Sequence, residues 1–415
     1  MTSAGVIQSR FQGWVVLGAA FVIITLSIGT LFTLGVFLTP IEASMGWGRS
    51  SIGGIGLLNW IVMGLGSFVA GHLSDRFGTR IVVLAGGALL GLGLVLSSQV
   101  GALWQFYLTF GVMVGAGVSA FYVPLTVTAM KWFETRRAMA AAIVSAGNGF
   151  GILVLSPLSR WLITAFDWRG AFLVLGDLAW LIVIPTALAL KSPPAPGDRS
   201  SEGAAVGSPT SPARGPVAEV SAEQVWRSRP FWAIALTHFA CCAAHSGPIF
   251  HLVAHAIDQG VATMPAATLL GFSGLSSIFG RIATGMVADR FGAKRTLLAA
   301  LALQALVVFL YLFPRDLETL SALTLVFGVA YGAAMPLYPV VTREYFGERV
   351  MGRAYGGVFF ISCIGMGLGS YAGGAIYDAL GSYQWLFLAS AAIGAMAVLV
   401  AVTLRAPVVA QTRPA

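Results

Sequence analysis

Twelve apolar stretches, each long enough to cross about 30 Å of hydrocarbon, divide this 415-residue chain into two sets of six. The first six fall at residues 13–38, 52–70, 81–98, 103–129, 138–166 and 170–190. The second six fall at 231–256, 268–287, 296–313, 320–341, 354–377 and 385–404. Inside a bilayer every backbone N–H and C=O needs a partner within the chain, and stretches of this length meet that need as helices. The expected fold class is therefore all-α membrane, twelve transmembrane helices in two six-helix bundles. The composition, 57% apolar and only 10% charged, leaves too little polar surface for a soluble domain.

Residues 1–190 form the first expected bundle and 231–415 the second. Between them, residues 191–230 are rich in Pro, Gly, Ser and Ala and poor in large apolar side chains, which predicts a cytoplasmic linker with a short surface helix over Ala222 to Trp226. The basic residues set the orientation. With both termini cytoplasmic, 19 of the 24 Lys and Arg lie inside; Arg49, Arg160, Arg169 and Arg315 lie in outer loops, and Arg281 lies within the membrane. The net charge of +8 follows from that asymmetry rather than from nucleic-acid binding. Cys241, Cys242 and Cys363 all fall in spans and make no disulfide framework.

The two halves repeat each other. Gly71-His-Leu-Ser-Asp75-Arg76-Phe77-Gly78 returns 214 residues later as Gly285-Met-Val-Ala-Asp289-Arg290-Phe291-Gly292, each copy following the second span of its half. Repeats on this scale imply two related bundles with a central site between them. Gly71 and Gly285 are expected to let helices approach closely, and Gly78 and Gly292 to reverse the chain tightly. Asp75 and Asp289, with Arg76 and Arg290, are expected to cap or pair at neighbouring helix ends and hold one side shut.

Arg281 is the strongest single clue to cargo. Eight residues before Asp289, at about 1.5 Å per residue, it lies roughly 12 Å inside the membrane, where a permanent charge normally marks a substrate path. Its planar fork suits a carboxylate, and no acid stands one helical turn away on its own span. Ser277, one turn before it, shares its helix face and is placed to donate a hydrogen bond. Tyr122 and Tyr331 occupy related positions in spans 4 and 10 and offer further hydroxyls. Leu31, Phe32, Phe359, Phe360 and Cys363 are expected to supply an apolar wall.

The doubled Gly-x-x-x-Asp-Arg-x-Gly-x-Arg turn, with Lys294 in the last place of its second copy, resembles the signature of the major facilitator superfamily over nearly all of both halves. Four further places narrow the resemblance: Gly13-Trp14, Tyr122-Val-Pro124 ahead of Lys131-Trp132-Phe133, the stretch from His251 through His255 and Asp258 to Gly260, and Gly280-Arg281. Together they are similar to the bacterial branch of the monocarboxylate transporters, close to the oxalate/formate antiporters. The resemblance implies a carboxylate bound by Arg281, alternating access by rocking of the halves, and a place in a bacterial inner membrane. It also raises Tyr122, Tyr331 and Phe359 as pocket residues.

Two departures matter. Mammalian relatives carry a Lys in the first span and an Asp before the span-8 Arg; Phe32 and Ser277 stand there in this chain. The antiporters add a cation in span 11, and residues 354–377 contain no Lys or Arg. One midplane cation matches one carboxylate, so monoanions such as lactate or pyruvate are expected over oxalate.

Span 7 holds four of the five histidines. His251, His255 and Asp258, spaced by four and three, share one helix face and form a candidate proton relay toward the outer surface, with Asp258 as carrier. Gly247-Pro248 is a candidate hinge just inward of them. The expected activity is proton-coupled uptake of a small monocarboxylate by a monomer embedded in lipid, with carboxylate exchange as the alternative. No nucleophile-and-base pair, metal-ligand cluster or cofactor motif points to an enzyme, and the linker offers no folded output domain for a sensor.

Overall fold

A computed structural model of the chain describes residues 3–133, 137–191, 222–314, 316–346 and 350–404. Helices cover nearly all of the expected spans, and no strand occurs among the described residues. Among the described residues, eleven helical segments are long and apolar enough to cross a membrane. One of these runs over Met139–Leu188, and its helix would measure roughly 75 Å if straight. It is interrupted at Asp167, whose φ of +63° and ψ of +179° turn the chain back. The Asp167 carboxylate accepts the N–H groups of Arg169 (2.6 Å) and Gly170 (3.0 Å) and so starts the next helix. Spans 5 and 6 thus separate there, and the count becomes twelve.

Several spans are not uniform helices. Span 1 breaks at Thr33, between Ser3–Phe32 and Leu34–Met45, and the Thr33 hydroxyl donates to the Thr30 carbonyl at 2.7 Å. Span 4 contains a π-helical segment, Tyr107–Val114, and breaks again at Ala120 and Phe121 immediately before Tyr122. Span 7, by contrast, is one continuous helix, Arg229–Asp258, through Pro248. The short helix expected beside the linker is Ala222–Arg227, with Trp226 packed on Phe231 at 4.8 Å between ring centres. Most of the linker itself lies outside the described residues.

The internal repeat is visible in the backbone. Gly78 and Gly292 have the same φ of +86° and ψ of 147°, and each closes its helix by donating to the residue four before it. Glycine takes that φ without the Cβ clash other residues suffer.

The halves meet through spans 2 and 11 and through spans 5 and 8. In the second pair the contact is backbone on backbone. A Cβ on Gly149 would lie 2.5 Å from the Gly274 carbonyl oxygen, and a Cβ on Gly274 the same distance from that of Gly149. Between spans 2 and 11, contact runs from Gly48 beside Asp378 to Gly64 beside Phe360 and Cys363.

The expected close approach at Gly71 and Gly285 is corrected by the structure. The nearest neighbour a Cβ on Gly71 would meet is Val123 of the same half, at 3.9 Å, and Gly285 has none within 4 Å. The halves converge on the face that carries Arg49 and Asp378. The Asp75 and Asp289 side chains, and with them the expected pairing of those acids, lie outside the described residues. Arg76 and Arg290 each lie over the ring of the following phenylalanine, at 5.2 and 5.5 Å.

Candidate functional site

Arg281 is 8% exposed, and one of its N–H groups, on Nη1, donates to Ser145 Oγ of span 5 at 2.8 Å. Its Nε is buried without a partner. Among the described residues no carboxylate lies within ion-pair distance of it. A buried guanidinium tied only to a hydroxyl keeps most of its donor capacity and all of its charge uncompensated.

Tyr331 converges on the same place. Its hydroxyl is buried without a hydrogen bond and lies toward Arg281, Ser277 and Ser273. Its ring stacks on His245 at 5.4 Å and an 18° interplanar angle, and packs on Phe327 at 5.5 Å. His245 is fixed by a 2.7 Å contact from Nδ1 to the Cys241 carbonyl, which puts the proton on Nδ1 because a carbonyl only accepts.

The other expected wall residues divide. Tyr122 and Phe359 stack across the two halves at 6.2 Å and 11°, and Tyr355 adds to the stack at 6.3 Å from Phe359. Cys363 is buried against Gly64. Leu31 is buried, and Phe32 lies between Phe250 (5.7 Å) and Trp60 (5.8 Å), joining span 1 to span 7. Ser277 is a correction to the expected free donor. Its hydroxyl already donates to the Gly274 carbonyl at 2.8 Å, and the residue is fully buried between Gly149 and Gly332. Its smallness serves helix packing.

His251, His255 and Asp258 are brought together, but around a group that sequence reasoning left in a loop. Arg49, at the start of span 2, is 5% exposed. It holds both Asp258 oxygens, Nη1 to Oδ2 at 2.7 Å and Nη2 to Oδ1 at 3.1 Å. Its Nε donates to both oxygens of Glu42, at 3.0 and 2.9 Å, and its guanidinium lies 3.7 Å above the Tyr377 ring. Nη1 also donates to Tyr383 Oη at 2.8 Å. Tyr383 Oη lies 3.0 Å from His251 Nδ1, and His251 Nε2 donates to the Ser370 carbonyl at 2.9 Å. With the Nε2 proton fixed by that carbonyl, neutral His251 accepts at Nδ1 from the Tyr383 hydroxyl. Burial pushes the Tyr383 phenol above its ordinary value, against the opposing pull of Arg49, so its proton stays in place.

His255 contributes its ring edge to Phe387 (4.8 Å) and Tyr383 (5.9 Å). Asp378 completes the cluster by accepting the backbone N–H groups of Arg49 (3.0 Å) and Ser50 (2.8 Å), capping span 2 from the opposite half. Asp258 is therefore half of an ion pair that locks the halves together, not a free acid beside two histidines. One signal in the sequence points here: Arg49 is one of four basic residues assigned to the outer loops, against the charge asymmetry.

The motif residues at the other face have a packing role. Gly13 leaves room for Trp132, and Trp14 meets Phe133 edge-on at 5.0 Å, joining the start of span 1 to the end of span 4.

A helical membrane fold with a repeated half and a central uncompensated cation defines a class, and comparison with known proteins agrees. The Major Facilitator Superfamily model matches residues 20–314 and 276–415, and the chain belongs to that superfamily. A mutant form of the nucleoside transporter NupG superposes with a TM-score of 0.72 at 13% identity, covering 95% of this chain and 99% of that one. A bacterial homolog of the human lysosomal transporter Spinster, in an inward-facing and unoccupied conformation, gives 0.63 at 17%, covering 95% of each. Within the superfamily the chain falls in the monocarboxylate transporter branch. Monocarboxylate transporter 13 of Bos taurus is 30% identical over 92% of this chain and 86% of its own length. Monocarboxylate transporter 3 of Rattus norvegicus is 31% identical over 94% and 79%.

Proposed function

We propose that this protein is a secondary active transporter of short monocarboxylates of the lactate and pyruvate class, driven by proton symport. The reading rests on one observation above the others, the buried Arg281 whose charge no described residue neutralises. A single carboxylate supplies the missing charge and accepts from the free donors, and a monoanion leaves no excess. Tyr331 adds a donor beside it, and the Tyr122–Phe359 stack, with Cys363 and Leu31, forms the apolar wall. The two halves work by alternating access around this site, in a bacterial cytoplasmic membrane with both termini inside, and the chain acts as a monomer.

Coupling is assigned to Asp258 with His251 and His255. Glu42 holds Arg49 from its own half and Asp258 ties it to the other, so neutralising Asp258 weakens the tie between the halves. A proton taken up on that face thus licenses opening. The doubled turns at Gly71–Gly78 and Gly285–Gly292 serve the opposite face.

The test is uptake of labelled lactate into proteoliposomes. Arg281→Ala abolishes uptake, and Arg281→Lys recovers little, because an ammonium lacks the bidentate fork. Near wild-type uptake by Arg281→Ala removes the reading.

A further inference from the structure

Asn148 lies on span 5, one helical turn from Ser145, the residue that holds Arg281. Its Oδ1 is buried with no hydrogen-bond partner. The helix itself shows where that amide points. Gly149 and Ile152 of span 5 face span 8, against Gly274, and Gly147 and Gly151 face span 1, against Phe21 and Thr25. Phe150 and Val154, on the remaining arc, are 40% and 39% exposed and form the outer surface of the bundle. At about 100° per residue, Asn148 falls on the opposite arc, between spans 1 and 8. That arc faces the interior where Arg281 sits.

A buried amide oxygen without a donor is costly in a membrane core unless something supplies one. Three residues of helix rise about 4.5 Å, so Asn148 lies one turn along span 5 from Ser145, whose Oγ is 2.8 Å from Arg281 Nη1. An acceptor there suits an O–H group on the carbon next to the carboxylate.

We infer that Asn148 is a specificity-determining residue that accepts the hydroxyl of a 2-hydroxy monocarboxylate, so that the site prefers such acids to unsubstituted ones. This inference rests on the carboxylate reading of Arg281. A group that is built to receive a hydroxyl rejects an analogue lacking it, since the analogue leaves the acceptor buried and unpaired. An apolar pocket alone discriminates far less between a hydrogen and a hydroxyl.

The experiment is competition binding of lactate and propionate to purified protein, read by displacement of labelled lactate or by ligand-induced thermal shift. Wild type binds lactate about tenfold or more tighter than propionate. Asn148→Leu, close in size and without the acceptor, brings the ratio to near one by weakening lactate and sparing propionate. Asn148→Ala does the same and guards against a variant that fails to fold. A lactate-to-propionate ratio unchanged in both variants overturns the role of Asn148, including the case in which both acids weaken equally. Wild type that binds neither acid overturns the carboxylate reading itself, which is a different outcome from a retained ratio.

Discussion

Arg49 of span 2 holds Asp258 of span 7 through two hydrogen bonds, at 2.7 and 3.1 Å, across 209 residues of sequence. It ties the two halves together, beside the Asp378 cap on span 2. Glu42 balances it from its own half, while Tyr377, Asp378 and Tyr383 close over it from the other.

Removing Arg49 leaves Asp258 and Glu42 facing each other without a cation. Arg49→Gln is expected to destabilise the closed face by about 3 kcal/mol, the low end for a buried pair, because those carboxylate side chains remain 29% and 32% exposed. A cysteine introduced at Ile52, which is fully buried below the gate, then reacts with a water-soluble maleimide in the Arg49→Gln background and not in its absence. Equal labelling in both backgrounds refutes the lock.

Tyr383→Phe removes a hydroxyl that accepts from Arg49 and donates to His251 while keeping the ring stack on Tyr377. The expected loss is about 1–2 kcal/mol in the stability of the closed face, smaller than for Arg49, because the ion pair itself persists. Thermal unfolding in detergent, with Arg49→Gln alongside, gives the ranking directly.

Asp258→Asn removes the charge that pairs with Arg49 and so mimics the released gate. Exchange of internal for external lactate is expected to continue, and accumulation driven by an acidic exterior to stop. Concentrative uptake by this variant reassigns the proton elsewhere.

The twelve spans are legible in the sequence because apolar runs of membrane length have one structural solution in lipid, and Arg281 is legible because a cation inside such a run is conspicuous. Asp258 and the two histidines emerge from helical spacing, which reports a shared face. What that face meets depends on a contact 209 residues away, and local pattern carries no record of it. Ser277 misleads for a related reason: a serine one turn from Arg281 shares its face, but whether its hydroxyl is already committed to a backbone carbonyl is decided by packing.

Phe360→Lys would add a second cation on span 11, near Gly64 of span 2. The expected outcome is a shift of uptake toward oxalate and away from lactate by about tenfold in the ratio, since a dianion then meets two charges. An unchanged ratio in a monodisperse variant argues against matching of cargo charge to the number of midplane cations.

Glycine substitutions separate contact from open space. Gly149→Val and Gly274→Val force side chains into an opposing carbonyl and are expected to cost about 2 kcal/mol or more and to lose transport. Gly285→Ala, with nothing within 4 Å, is expected to fold as well as wild type or slightly better, by up to about 1 kcal/mol. Melting temperatures of the three variants check both statements.

The backbone contact between Gly149 and Gly274 has a mechanical meaning. Two helices pressed carbonyl to α-carbon have no soft side chains between them to compress, so they can roll about the touching point more easily than they can separate. Ser145 and Arg281 sit one to two helical turns from that point, on the same two helices. When the halves tilt, displacement grows with distance from the fulcrum, and the gate at Arg49 is at the end of a long arm. On the proposed reading, in which Arg281 anchors the cargo, that anchor moves little while the halves tilt.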